Sequence, residues 1–139
     1  MLAINLKRGT ITSLEKLMIS ESGMRGREEF EILPDGQNAK IRHYGIFYRQ
    51  GEEQKELLRQ CDCEMSEVLS FLNECRLLTW NGFHGAHPKN VSDGIMFTME
   101  ALVNGDRIVK ADGSANFPRH YHELMRWISE KLSQNREEH

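Results

Sequence analysis

Through most of the first sixty positions apolar residues alternate with polar ones, and a period of two predicts strands rather than helices. Leu17 and Ile19 alternate within Leu14–Ser22, and Phe30 and Ile32 alternate with Glu29 and Glu31. Residues Ala39 to Tyr48 form a third such run, rich in aromatic and β-branched side chains. Two glycines in Ser22-Gly23-Met24-Arg25-Gly26 allow a turn between the first two runs. Pro34-Asp35-Gly36 makes the next turn, because Pro presets φ and Gly tolerates positive φ. Gln54 to Cys61 suits either a strand or a short helix, and Gly51 just before it favours the strand.

The period then changes. Met65, Val68, Leu69, Leu72 and Cys75 recur at helical spacing, which predicts a helix over Met65 to Leu78 with Asp62 as its cap. Trp80 to Pro88 reads as a loop punctuated by Gly and Pro. Ile95, Phe97, Met99, Ala101 and Val103 then share one face of a strand. Asn104-Gly105 signals a hairpin. A three-residue loop, Asn104 to Asp106, puts Val109 and Ala111 on the apolar face, whereas a two-residue loop puts Lys110 there. The three-residue loop is therefore favoured. The last helix should start near Asn116 to Pro118, with Tyr121, Leu124, Ile128 and Leu132 as its buried stripe. The polar tail from Ser133 to His139 should fray. Strands, helix, hairpin, helix is the order of an α+β fold. We expect one domain over residues 1–139, an antiparallel sheet of five to six strands with two helices packed on one face.

Composition narrows the function classes. The chain has 139 residues, 39% hydrophobic and 28% charged, with a formal net charge of −3. No basic stripe is present to neutralise phosphates, so a nucleic-acid partner is not expected. No stretch approaches the ~20 apolar residues that cross a bilayer. The apolar part of Met1–Arg8 is short and its positive charges follow it, unlike a signal peptide. A cytoplasmic protein with no membrane partner is the expectation. Three cysteines, Cys61, Cys63 and Cys75, are an odd number, and two of them are only two apart. They read as reduced thiols.

Candidate chemistry is sparse. Cys61, Cys63, His84 and His87 could make a tetrahedral zinc site, but their spacing fits no standard motif, so neither metal nor cofactor is expected. His120 and His122 should point to different faces of the last helix. His43 falls on the apolar face of its strand and reads as a hydrogen-bonded core or edge histidine. Ser22, His84 and Asp93 could be drawn as a triad, yet any chain with serines and histidines allows that. Asp93 reads first as a turn residue before Gly94, and Lys89 could pair with it across the loop. Trp80 and Phe83 flank Asn81-Gly82 as either a recognition surface or a plug over the end of the core. The plug is favoured, with the indole N–H on a backbone acceptor.

Taken in order, Ser22-Gly23-Met24, Trp80-Asn81-Gly82-Phe83, Asp93-Gly94-x-x-Phe97, a hairpin, Gly113 and Pro118-x-x-Tyr121 resemble an uncharacterised family of small bacterial proteins from Gram-positive, Clostridia-like genomes. The resemblance spans about residues 14–132 and is clearest in the second half. It implies a bacterial cytoplasmic α+β protein and supplies no catalytic residue. The stretch Phe83-His84-Gly85-Ala86-His87 departs from the family's more polar loop, which leaves the role of both histidines open.

The expected function is non-enzymatic. We expect a binding or interaction protein, of antagonist/immunity or regulatory type and homodimeric, with a protein or small-molecule partner. The candidate ligand-binding residues are Arg25, Arg27, Trp80, Phe83, His84, His87, Lys89 and Asp93. The alternative is a small enzyme with its site between the Ser22–Arg27 and His84–Asp93 loops, gripping an anionic ligand.

Overall fold

A computed structural model describes residues 9–24 and 26–137. Met1–Arg8 and Arg25 lie outside the described residues. Four strands come first: β1 Leu14–Gly23, β2 Gly26–Asp35, β3 Asn38–Arg49 and β4 Glu52–Glu64. Helix α1, Met65–Glu74, and a 3-10 turn, Leu77–Trp80, follow. The chain closes with β5 His84–Gly85, β6 Met96–Val103, β7 Arg107–Ser114 and helix α2, Tyr121–Glu137.

The strands form one sheet in the order β4-β3-β2-β1-β6-β7-β5, seven strands among the described residues rather than the five or six expected. The extra one, β5, has only two residues, too few for a period of two to show in the sequence. It runs parallel to its neighbour, whereas the other pairings are antiparallel. The Gln54–Cys61 stretch is part of a strand, pairing along β3 with a register shift between His43 and Tyr44. The β6–β7 loop has three residues, with Val103 opposite Arg107, and Val109 and Ala111 are buried as expected.

One sheet face carries Leu17, Ile19, Ile32, Ile41, Phe97, Met99 and Val109, and it is covered by both helices. Val68 and Leu72 of α1 and Tyr121, Leu124, Ile128 and Leu132 of α2 complete this core. Each helix follows a strand on the same side, so one layer of helices suffices to bury one face of the sheet.

Helix boundaries differ from the sequence reading. Asp62 lies within β4 and pairs with Lys40 at 3.3 Å, so it does not cap α1. The first N–H, that of Met65, is satisfied by the Gln37 carbonyl of the β2–β3 turn, 3.1 Å away. Helix α1 stops at Glu74 because Arg76 takes a left-handed conformation, φ 57°, without any glycine to announce it. His120 is left-handed too, φ 72°, so α2 begins at Tyr121, after Pro118. Helix α2 continues to Glu137, and Glu138 and His139, the end of the tail expected to fray, lie outside the described residues.

Candidate functional site

The pairing registers decide which polar residues become neighbours. Ser20 stands opposite Thr98, Thr98 opposite Asp112, and Asp112 opposite His84. These four form one row across β1, β6, β7 and β5 on the face that the helices leave open. Ser22, Met96 and Ser114 form the next row toward the end of the sheet. The two rows floor a cleft of about 420 Å³, walled by His84 to His87. That volume falls within the range of small-molecule sites.

Two imidazoles in this cleft have different duties. The Nδ1 of His84 faces the Asp112 carboxylate, which can only accept, so Nδ1 donates, and Nε2 is left without a partner among the described residues. His87 is engaged on both nitrogens: Nε2–H donates to the Val91 carbonyl, and Nδ1 accepts from the Ser114 hydroxyl at 2.8 Å. It pins the 86–95 loop to the end of β7. The hydroxyls of Ser20, Ser22 and Thr98 have no hydrogen-bond partner among the described residues.

A second cleft, about 410 Å³, opens on the other side of the same sheet end. Glu21, Glu28, Asp93 and Ile95 line it, and Ser22 lines both clefts. Glu21 accepts a 2.6 Å bond from the Tyr121 hydroxyl; burial, and then this carboxylate, push the phenol well above its ordinary range. Glu28 accepts from His43 Nε2 at 2.9 Å, while His43 Nδ1 accepts from Arg59 Nε at 3.2 Å. His43 is buried and stacked on Phe30 at 4.4 Å, so it is a hydrogen-bonded core histidine, as its strand position suggested.

The other sequence candidates scatter. The two loops do meet at one end of the sheet, since Ser22 pairs with Met96 beside the 86–95 loop. Arg27 is committed to Glu53 at 2.8 Å and Glu29 at 3.4 Å. Lys89 lines neither cleft and forms no ion pair with Asp93 within the described residues. Arg25 lies outside the described residues. Trp80, 1% exposed, and Phe83 pack into the core, the plug arrangement. The indole Nε1–H has no acceptor among the described residues, contrary to expectation, because its surroundings are apolar side chains. His84 takes Asp112 as its carboxylate rather than Asp93. His120 pairs with Glu123, and His122 packs edge-on against Phe117.

Cys61 and Cys63 lie on β4, one edge of the sheet, and His84 on β5, the other. Six strand spacings, on the order of 25–30 Å, separate them, so the four-ligand zinc set does not assemble. Burial pushes the Cys61 thiol up, and the Cys63 and Cys75 thiols up to about 11, the behaviour of inert core cysteines.

Sequence reasoning missed Ser20, Thr98, Asp112 and Ser114. Each sits at an outward position of a half-buried strand, a visible signal, but only the register puts them side by side. No helix among the described residues is long and apolar enough to cross a membrane. No protein-family model matches the chain, and no curated protein or solved structure is significantly similar to it.

Proposed function

We propose that the chain is a ligand-binding protein whose recognition site is the open-face cleft floored by Ser20, Thr98 and Asp112 and walled by His84. The observation that carries this reading is the gathering of unengaged polar groups in one concavity. Three hydroxyls and one imidazole nitrogen have no partner there among the described residues, while Trp80 and Phe83 are used in packing. Among the described residues no lysine or arginine lines either cleft, which argues for a ligand other than the anionic one expected from the loops.

Screening intact protein against a library of polar metabolites by thermal shift, with mapping by amide chemical shifts, tests the proposal. Saturable shifts at residues 84–86, 96–98 and 112–114 are expected. A ligand mapping only to other surfaces would refute it.

An enzymatic reading has one observation in its favour, the Asp112-oriented imidazole of His84. In a hydrolytic triad the imidazole stands between nucleophile and carboxylate. Here Asp112 stands between the hydroxyls and His84, and β5 is the edge strand. The row therefore has the wrong order for hydroxyl activation. Turnover that disappears in His84→Ala would replace the binding reading with this one.

A further inference from the structure

We infer that the open-face cleft takes a neutral, hydroxyl-rich ligand, a carbohydrate or polyol; this deepens the binding reading above and rests on it. Each hydroxyl of Ser20, Ser22 and Thr98 can both donate and accept, as can each hydroxyl of a sugar, so pairing them needs no charge. Asp112 uses one carboxylate oxygen on His84 and keeps the other as an acceptor. The carboxylate oxygen fits a ligand O–H donor, and a hydrogen bond to it is the charge-assisted, stronger kind. The Nε2 of His84 has no partner among the described residues and can pair with a ligand hydroxyl, which both donates and accepts.

Apolar contact is present in the right place. Met96 lies between Ser22 and Ser114 in the outer row, beside Thr98, and is 57% exposed. A flexible thioether among hydroxyls offers a surface for the C–H face of a sugar ring.

Other ligand classes fit worse. An anion would meet a carboxylate and no fixed cation among the described lining residues. An apolar ligand would desolvate hydroxyls and a carboxylate without giving them partners. An organic cation would find one carboxylate, already shared with an imidazole.

The test is an amide chemical-shift titration of the intact protein with glucose, galactose, maltose and inositol, run beside inorganic phosphate and putrescine. At least one neutral probe should shift residues 20–22, 84–86, 96–98 and 112–114 saturably. Thr98→Val and Asp112→Asn should each weaken that binding by about tenfold or more, the loss of one good hydrogen bond, with the fold retained. Shifts in the cleft with phosphate or putrescine and none with the neutral probes would overturn the ligand class and leave the binding reading standing. Silence of the cleft toward all six probes would overturn both. Sugar binding indifferent to both substitutions would overturn the assignment of these residues, and Thr98→Val alone decides the point if Asp112→Asn does not fold.

Discussion

Replacing Trp80 by Phe should cost almost nothing, although Trp80 is among the largest fully buried side chains of the core. The indole, carried by the last residue of the 3-10 turn, lies 5.9 Å from the Tyr121 ring of α2, and its N–H has no acceptor among the described residues. An orphaned buried donor costs about 1–3 kcal/mol relative to an apolar group of similar shape. Phe removes that donor and leaves a void on the order of 40 Å³, which at about 24 cal/mol per Å³ costs about 1 kcal/mol, with a lost transfer contribution of similar size. The two sides offset, so Trp80→Phe should stay within about 1 kcal/mol of the parent. Trp80→Ala has no such offset for its much larger void and should cost about 3–5 kcal/mol. At roughly 3 °C per kcal/mol for a chain of this length, Tm should fall by about 9–15 °C in the Ala variant and by less than about 3 °C in the Phe variant. Urea and thermal unfolding of the three proteins measure this directly. A Trp80→Phe protein as unstable as Trp80→Ala would refute the reasoning, because it would mean that the indole N–H makes a bond worth keeping.

Gly113→Ala should lower stability by about 1–3 kcal/mol, an overpacking cost, because its Cβ would sit 2.1 Å from the Asn116 carbonyl oxygen and 2.8 Å from the Phe97 ring; an unchanged Tm would show that the 115–117 segment can lift off β7 freely. His87→Ala should raise the rate of limited proteolysis within 86–95 while the far-ultraviolet dichroism stays unchanged, since the link to Ser114 and the bond across the loop to Val91 are lost together; cleavage at the parent rate would show that the bonds of Asn116 to Ala86 and of Ala115 to Ile95 hold the loop by themselves. Stability should decline between pH 9 and 11, because the unfolded chain releases thiol protons near the ordinary 9.0 while folded Cys63 and Cys75 hold theirs to about 11. Tyr121, raised above its ordinary 10.0, acts in the same direction. A urea midpoint that stays level across that interval would contradict the burial of these groups.

Much of the fold was legible along the chain because its signals are local. Burying one face of a strand or helix requires apolar residues at a period of two or 3.6, and Leu17, Ile19, Phe97, Met99, Val109, Leu124 and Ile128 declare those periods without help from distant residues. The same period chose the three-residue loop at Asn104 over a two-residue one, because only the longer loop puts Val109 and Ala111 on the apolar face. The misread boundaries have the opposite character. Met65 is capped by a carbonyl from the β2–β3 turn, and Arg76 is held left-handed with no local sequence cause. The indole of Trp80 was rightly read as buried, but its missing acceptor depends on side chains from α2 and the 3-10 turn.

Sequence alone determined the α+β class, the apolar faces and the two helices. Only tertiary structure decided that β1 lies between β2 and β6, and with that order came the site. Ser20, Thr98, Asp112 and His84 are separated by 78, 14 and 28 positions, and no periodicity links them. Strand register makes them a single row about 14 Å long at ~4.8 Å per strand spacing. The same register holds Cys61 and His84 at opposite edges and commits Arg27 to Glu29 and Glu53. Local pattern measures how a residue faces solvent or core; which residues then share a cleft is settled by pairing between distant strands, where the hydrogen-bond register and the packing of the whole sheet choose the neighbours.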